Sequence, residues 1–529
     1  MGKKLEKRTI ILMVILIGGL IIGFWKFAQY FNQVKLQYDD EVISNLKNPL
    51  DFSPFEKAMS QIGEARFNQI DQMTRGETIE KTQALILAKQ LTCEEMLLYY
   101  INQIQKHDTY YNTVICLNPK ALIYARQLDD KIQKGEPLGQ LFGVMILAKD
   151  NISDADMPTT AGSYALRDLR TKRDAFVISQ LKAQDAIIIG KNNLSEWANF
   201  MSMPSSNGFS VMGGQSKNAY GKFDVGGSSS GSCASVALNF ATVALGTETA
   251  GSLIYPAGQN SVVAIKPTIG LISRDLVIPI TEAQDTVGVI GRNVADVEKV
   301  MQYTSGYDAK DKETELIQKA EKPKALPSQA DLKGIRIGVY RKTAQKGIAQ
   351  EMIALGAEVV EINLFGDPDR IDYLPILKYG IVNDVNAYLN NPAVESPFKS
   401  LEAIIAYCKE DEANRMPYGA ALQEAALTQI MTKEDYEALA AKNKRIARKI
   451  IDETMKRYKL DAILSTSNEL SNIYAPANYP AVTIPAGYTR KGEPFGLTLV
   501  GGRLSDENLL KIAGIYEKQT KHRVEPEVR

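Results

Sequence analysis

The sequence predicts an α/β protein, because short apolar runs typical of buried strands alternate with stretches typical of helices. The runs predicted as strands are Leu141–Leu147, Ala186–Ile189, Val243–Leu245, Val262–Ile265 and Val482–Ile484. The stretches predicted as helices are Glu80–His107, Asp174–Lys182, Ala234–Phe240 and Asp296–Tyr303. A strand–helix–strand pattern follows later, with strands at Ile335–Tyr340 and Ala357–Ile362.

Each prediction depends on local patterning. The run Leu141–Leu147 follows a proline–leucine–glycine break, and Ala186–Ile189 lies between polar residues and Gly190. Residues Glu80–His107 place apolar side chains at intervals that suit one face of a helix. Residues 310–333 are rich in lysine, glutamate and proline and are predicted to form a surface connection.

Composition excludes some functions. The chain has 529 residues, 45% of them apolar, which suffices for a large buried core. Lysine plus arginine and aspartate plus glutamate both number 62, so the formal net charge is zero. A nucleic-acid partner is therefore not expected, since such proteins usually carry a basic excess.

Histidine and cysteine are scarce. His107 and His522 are the only histidines, and neither adjoins a nucleophile-like motif, which disfavours a histidine-dependent hydrolase. No C-x-x-C pair exists, so a zinc knuckle or a thioredoxin-like motif is excluded. The four cysteines, interpreted as buried small hydrophobes, are Cys93, Cys116, Cys233 and Cys408.

The N-terminus predicts a membrane anchor. Residues 1–8 are a basic tail, residues 9–31 are an apolar run long enough to span a bilayer, and residues 32–74 form a stalk or wrapping segment. The basic flank places the N-terminus in the cytoplasm, so we expect a single-pass membrane protein with an extracellular catalytic domain. A cleaved signal peptide is the alternative, but no small-x-small cleavage site follows the apolar run.

Two Gly/Ser-rich segments, Val225–Cys233 and Leu245–Pro256, carry the chemistry. The first lacks the spacing of a phosphate-binding loop, and its apolar flanks disfavour a flexible linker. A catalytic pair, Ser228 and Ser252, is the third interpretation. A serine nucleophile needs a base, and Lys149, at the end of a predicted buried strand, could act if burial keeps it neutral.

These segments resemble the amidase signature family of serine hydrolases, and the peptide-amidase branch most. The similarity extends from about residue 75 to 525 and is weakest between about 305 and 440. The segments that carry it are Lys149–Ile152, Met157–Ser163, Gly190–Lys191, Asn193–Glu196, Gly226–Ser229, Gly246–Ser252, Lys266–Thr268 and Pro485–Tyr488.

The resemblance implies one large domain, residues 75–525, in which helices cover a mixed central sheet. It implies hydrolysis of a carbon–nitrogen amide bond, with release of ammonia or an amine and with no metal or cofactor. Ser252 would be the nucleophile, Lys149 the base, and Ser228 the bridging serine after a cis peptide bond from Gly227. Ser229 would support this network by hydrogen bonding.

The resemblance also implies an oxyanion hole from the backbone amides of residues 249–252, which are Thr249, Ala250, Gly251 and Ser252. Many relatives have glycine in place of Ala250, and alanine does not adopt every conformation open to glycine. Many also carry arginine where this chain has Ile254 or Tyr255. We therefore expect Tyr255 to line the substrate pocket and the substrate to lack a carboxylate there.

Three other functions remain open. The chain could be the glutamine-hydrolysing subunit of a tRNA amidotransferase, although such a partner is cytosolic. It could be a membrane-tethered hydrolase of fatty amides, or a catalytically inactive binding protein. The leading prediction is a membrane-anchored amidase that acts on a small-molecule or peptide amide.

Overall fold

A computed structural model describes residues 42–340 and 346–529, and residues Ser44–Arg529 form one compact unit. Its centre is an 11-stranded sheet. The strands of this sheet are β1 (Val114–Leu117), β2 (Met145–Lys149), β4 (Ile187–Asn192), β7 (Val243–Glu248), β8 (Val263–Lys266), β9 (Thr286–Gly291), β10 (Arg336–Tyr340), β11 (Glu358–Ile362), β13 (Ala462–Thr466), β14 (Ala481–Tyr488) and β15 (Pro494–Val500). Four shorter strands form two separate ribbons: β3 (Arg170–Thr171), β5 (Phe209–Ser210), β6 (Gly214–Gln215) and β12 (Val394–Glu395).

The central sheet is mixed. Its spatial order is β1-β4-β2-β7-β9-β8-β14-β15-β13-β10-β11. Strand β2 pairs in parallel with both β4 and β7, and β10 pairs in parallel with β11 and β13. The remaining neighbours pair antiparallel. The predicted α/β fold with a mixed sheet is therefore confirmed.

Helices surround this sheet. In the N-terminal half they are Ser53–Ile62, Glu64–Thr74, Ile79–Leu87, Cys93–Tyr111, Ala121–Gln133, Phe176–Ala183, Ser230–Ala237, Ile254–Gln259 and Val294–Thr304. In the C-terminal half they are Leu316–Lys319, Lys346–Ala354, Leu374–Leu389, Leu401–Lys409, Glu412–Arg415, Ala421–Leu427, Lys433–Tyr458, Ser471–Ala477 and Asp506–Thr520.

The core lies on both faces of the sheet. Side chains alternate between the faces along a strand. In β2, Ile146 and Ala148 join one apolar cluster, whereas Met145 and Leu147 join another. All five residues of β2 are buried, so the strand that ends at Lys149 lies deep inside the protein.

Some predicted boundaries are wrong. The stretch expected as one helix over Glu80–His107 forms two, because Lys89 has a positive φ of 56°. The second helix begins at a capping box, in which Thr92 accepts from the Glu95 amide and the Glu95 side chain accepts from the Thr92 amide. The helix expected at Ala234–Phe240 ends earlier, where Asn239 has a φ of 61°.

The segment before the predicted catalytic domain packs on the core. Phe55 and Ile70, from the helices Ser53–Ile62 and Glu64–Thr74, are fully buried in one cluster with residues of the helix Cys93–Tyr111. Apolar burial of this kind stabilises by about 1.5–3 kcal/mol per large side chain. The domain boundary predicted at residues 74 and 75 stays a prediction.

The predicted localisation needs correction. Within residues 42–340 and 346–529 no helix is both long and apolar enough to cross a membrane. The longest helix there, Lys433–Tyr458, has 26 residues but carries charges throughout its length. The tail 1–8 and the anchor predicted at residues 9–31 lie outside the described residues, so the described structure gives the expected membrane helix and the extracellular placement no support.

Candidate active site

Two parallel strands bring the predicted site residues to one edge of the sheet. Lys149 is the last residue of β2, and Glu248 is the last residue of the neighbouring strand β7. Because the strands run in parallel, their carboxyl ends meet at the same edge. The turn after β7 contains Ser252 and leads into the helix Ile254–Gln259. The loop before the helix Ser230–Ala237 adds Ser228 and Ser229.

Lys149 is fully buried and surrounded by hydroxyl groups. Its Nζ atom lies 2.8 Å from Ser228 Oγ, 3.0 Å from Ser229 Oγ and 2.9 Å from Thr247 Oγ1. Burial lowers the pKa of this lysine to about 7. The amine is therefore partly neutral near pH 7 and has a lone pair with which to accept a proton.

The two predicted catalytic serines differ in exposure. Ser228 is fully buried and follows a cis peptide bond from Gly227, whereas Ser252 is 9% exposed. The amide of Ser229 donates to the Ser252 carbonyl at 3.1 Å, which joins the two loops through their backbones. Within the described residues no hydrogen bond joins the Ser228 and Ser252 hydroxyls. Of the two serines, only Ser252 is partly exposed.

The predicted oxyanion segment is held at both ends. At its start, Thr249 Oγ1 donates to Asp285 Oδ1 at 2.5 Å, and Gln284 Nε2 donates to the Thr249 carbonyl at 3.0 Å. At its other end, the amides of Leu253 and Ile254 donate to the Glu248 carboxylate at 2.8 and 3.1 Å. Such bonds keep the turn's amides in fixed positions, as an oxyanion hole requires.

The glycine of this turn is required where it stands. Gly251 has a φ of +90°, and a Cβ at this position would lie 2.5 Å from Asn468 Nδ2. The sequence leaves open whether alanine at position 250 can adopt the backbone conformation of the glycine in many relatives. The structure answers this, because Ala250 is not among the described residues with positive φ. Alanine at position 250 is therefore compatible with the observed backbone.

The hydroxyl of Tyr255 donates to Asp224 Oδ2 at 2.8 Å. The other carboxylate oxygen, Oδ1, accepts from the Gly226 amide at 2.8 Å. The neighbouring Ile254 is fully buried. As noted from the sequence, positions 254 and 255 lack an arginine. The structure adds that the carboxylate of Asp224 lies beside Tyr255.

Several supporting residues were not predicted from the sequence. Asn151 Nδ2 donates to Thr247 Oγ1 at 3.0 Å and so fixes a hydroxyl that contacts Lys149. Asp150 forms a fully buried ion pair with Lys191 at 3.3 Å. Both Asp150 and Asn151 directly follow Lys149 in a motif that the resemblance includes, which was the available signal. Asp285 lies in the segment Gln284–Thr286, which contributed to the resemblance to the peptide-amidase branch, whereas Asp224 gave no comparable signal.

The two histidines contact residues outside the predicted site, whereas Cys233 lies close to it, with its amide donating to the Ser229 carbonyl. His107 Nδ1 contacts the Arg529 carbonyl at 2.8 Å, and His522 Nε2 contacts Glu351 at 3.0 Å. Burial raises the pKa of the Cys233 thiol well above its usual value, so it behaves as a packing residue. Within the described part of the chain, no three metal-ligating side chains cluster.

Comparisons with known proteins agree with this geometry. Residues 95–471 match the family described as Amidase. A probable amidase of Arabidopsis thaliana is 36% identical over 85% of this chain and 91% of its own. One component of the glutamyl-tRNA(Gln) amidotransferase of Clostridium acetobutylicum is 29% identical over 84% of this chain and 98% of its own.

Similar solved structures are also amidases. An amidase family protein from Bacillus anthracis superposes with a TM-score of 0.85 at 35% identity, covering 90% of this chain and 97% of that one. The peptide amidase of Stenotrophomonas maltophilia superposes with a TM-score of 0.79 at 32% identity, covering 86% and 99%. The chain therefore belongs to the amidase signature family, whose members hydrolyse amide bonds.

Proposed function

We propose that this amidase works through an acyl-enzyme on Ser252, with Lys149 as the base and Ser228 as the bridging serine. Neutral Lys149 takes the proton of Ser228, and Ser228 takes the proton of Ser252. The Ser252 oxygen attacks the amide carbonyl, and the backbone amides of residues 249–252 stabilise the resulting oxyanion. Each such donor contributes about 3 kcal/mol to the transition state.

The proton then returns along the same path. Ser228 delivers a proton to the leaving nitrogen, the carbon–nitrogen bond breaks, and ammonia or an amine departs. A water molecule attacks the acyl group while its proton passes through Ser228 to Lys149. The carbon–oxygen bond to Ser252 breaks, the carboxylic acid leaves, and the serine recovers its proton.

One observation carries this proposal. Lys149 Nζ lies 2.8 Å from Ser228 Oγ, inside a site that lowers the pKa of the lysine to about 7. A base is most effective when its pKa lies near the working pH. An ordinary exposed lysine, with a pKa near 10.4, would be protonated at neutral pH and could not accept the proton.

We further propose that the substrate is a neutral amide, such as the C-terminal amide of a peptide. Asp224 places a carboxylate beside Tyr255, which is one of the two positions where the family resemblance implies an arginine in many relatives. Two like charges 4 Å apart repel by about 1 kcal/mol even in water, and by more near a protein surface. A substrate carboxylate in this region is therefore disfavoured twice, by repulsion and by the absence of arginine at positions 254 and 255.

This argument bears on the other candidate functions. Free glutamine carries an α-carboxylate in addition to its side-chain amide, and binding of that carboxylate would need a cation in the pocket. Glutamine hydrolysis is therefore the weaker candidate. A fatty amide is neutral and satisfies the charge argument as well as a peptide amide does. The likeness to a peptide amidase favours the peptide. An inactive binding protein is disfavoured because all three side chains of the proposed mechanism are present.

The test is a comparison of ammonia release from three substrates at matched concentration. These are a blocked dipeptide amide, a long-chain primary fatty amide and free glutamine. We expect turnover of the dipeptide amide to exceed that of glutamine by at least tenfold in kcat/KM. Glutamine as the best substrate would overturn the proposed substrate class, and no reaction of Ser252 with a fluorophosphonate probe would overturn the mechanism.

A further inference from the structure

Asp224 lies on the loop that carries Ser228 and contacts the helix that follows Ser252. Its Oδ1 atom accepts from the amide of Gly226, two residues before Ser228, at 2.8 Å. Its Oδ2 atom accepts from the hydroxyl of Tyr255, three residues after Ser252, at 2.8 Å. One carboxylate thus links the Ser228 loop to the helix Ile254–Gln259, which directly follows the turn that carries Ser252.

The backbones of the two loops touch at the place that the carboxylate spans. A Cβ on Gly226 would lie 2.6 Å from Pro256 Cα, and Gly226 has a φ of +70°. A glycine is therefore needed for this approach. Because Gly226 and Pro256 are in close contact, we expect a change in the hydrogen bonds of Asp224 to alter the position of the Ser228 loop relative to the helix Ile254–Gln259.

A third segment joins the same carboxylate. Asn207 Nδ2 lies 3.1 Å from Asp224 Oδ2 and 3.3 Å from Oδ1. A Cβ on Gly227 would lie 2.8 Å from Asn207 Oδ1, so Asn207 also packs against the residue that precedes Ser228. Among the described residues, the three donors named here are a backbone amide, a side-chain amide and a hydroxyl, and each of these three groups is neutral.

The main chain of Asp224 is held by separate bonds. Its carbonyl accepts from Asn218 Nδ2 at 2.9 Å and from Gln259 Nε2 at 3.3 Å. The next carbonyl, of Val225, accepts from Asn260 Nδ2 at 2.8 Å. These bonds persist when the carboxylate is removed, so the side chain can be tested without releasing the loop.

We propose that Asp224 is a positioning residue for the hydrolysis described above. Its carboxylate fixes the Ser228 loop against the turn that carries Ser252, and thereby sets how the two hydroxyls align for proton transfer. Misplacement of a reacting group by about 1 Å can lower a rate about 100-fold. The inference rests on the proposed function, and it assigns Asp224 no contact with the substrate.

The experiment compares Asp224→Ala, Asp224→Asn and Tyr255→Phe with two controls, Asp168→Asn and Tyr307→Phe. Asp168 and Tyr307 are exposed, with a 75% exposed side chain and a 45% exposed residue. Asp224→Ala is expected to lower kcat by 10- to 100-fold while KM changes less than threefold. Asp224→Asn retains one acceptor and should recover part of this loss.

Coupling and stability separate positioning from a merely structural role. Because Tyr255 and Asp224 act through one hydrogen bond, Asp224→Ala combined with Tyr255→Phe should lose less than the product of the single effects. Melting temperatures of all variants should stay within a few degrees of the controls. Should Asp224→Ala not fold, Tyr255→Phe removes a single oxygen and must alone lower kcat severalfold.

Three results would overturn the proposal. These are an unchanged kcat in Asp224→Ala, a raised KM with normal kcat, which would mean substrate contact, and a loss of kcat that follows melting temperature across all variants.

The Ser252→Ala variant separates failure of the positioning role from failure of the proposed function. If Ser252→Ala is inactive while Asp224→Ala is normal, only the positioning role is wrong; if Ser252→Ala is active, the proposed function is wrong as well.

Discussion

The Nζ atom of Lys149 lies 2.8 Å from Ser228 Oγ, and these residues are separated by 79 positions in the chain. The proposed base thus contacts the proposed bridging serine, Ser228, and among the hydrogen bonds of the described residues none joins its amine to Ser252. In the proposed mechanism, a proton that leaves Ser252 passes through Ser228 to reach the lysine. The three side chains are therefore expected to act as one unit, and each prediction below depends on that arrangement.

Removing any member of this unit should remove most of the activity. We expect Ser252→Ala and Lys149→Met each to lower kcat by at least about 1,000-fold, and Ser228→Ala to leave only a trace. Groups that act as a unit are not additive, so double variants should lose little more than the singles. Amide hydrolysis is measured by ammonia release, with the exposed Ser60→Ala as a matched control.

A fluorophosphonate probe adds a second measurement. It should label the wild type and Ser60→Ala but not Ser252→Ala, because the probe reacts with the activated nucleophile. Near-normal turnover in Lys149→Met would contradict the assignment of the base.

Activity should rise with pH as Lys149 loses its proton. Burial lowers the pKa of Lys149 to about 7. The neutral amine is the form that accepts a proton in the proposed mechanism. The logarithm of kcat/KM is therefore expected to increase with unit slope below about pH 7 and to level off above it. A metal chelator should leave this profile unchanged.

Asp285 offers an internal check on that profile. Its charge raises the pKa of Lys149, although less than burial lowers it. The Asp285→Asn variant should therefore shift the rise in activity to lower pH, whatever happens to the maximal rate through the lost Thr249 contact. A rise that starts above pH 9 in the wild type would be inconsistent with a neutral lysine at physiological pH.

The turn that carries Ser252 should not tolerate alanine at Gly251. Gly251 has a φ of +90°, and an added Cβ would displace Asn468. Gly63→Ala is the matched control, because Gly63 has a φ of +77° with no atom within 4 Å of the added Cβ. Alanine at a positive φ costs about 1–3 kcal/mol in either place.

The two variants should differ in activity and not in stability alone. We expect Gly251→Ala to lower kcat by at least 100-fold, the loss typical of a damaged oxyanion hole, and Gly63→Ala to keep a normal kcat. Urea denaturation reports the stability of both. Normal turnover in Gly251→Ala would remove this turn from the mechanism.

Substrate charge should decide kcat/KM. A neutral amide is expected to exceed an analogue that differs only in a carboxylate beside the scissile bond by about tenfold or more, which corresponds to about 1.4 kcal/mol. The reason is the carboxylate of Asp224 beside Tyr255, without arginine at positions 254 and 255. Preference for the charged analogue, retained in Tyr255→Phe, would show that the pocket has another cation.

Local sequence patterns located several of the strands that matter here. The apolar runs Val243–Leu245 and Val262–Ile265 coincide with the buried strands β7 and β8, because continuous apolar residues suit a strand covered on both faces. The strand β9, Thr286–Gly291, was not predicted. Its sequence contains two glycines and a threonine, and its place depends on pairing with β7 and β8.

The sequence by itself determined the family, the residue types of the proposed site and their order along the chain. Those features can be recognised from short contiguous segments such as Gly226–Ser229 and Gly246–Ser252. Only the tertiary structure decided the distances and the lowered pKa of Lys149, since both depend on parallel pairing of β2 and β7 and on burial by distant residues. The contacts of Asp224 and Asp285 likewise join positions far apart in the chain, and no local pattern encodes them.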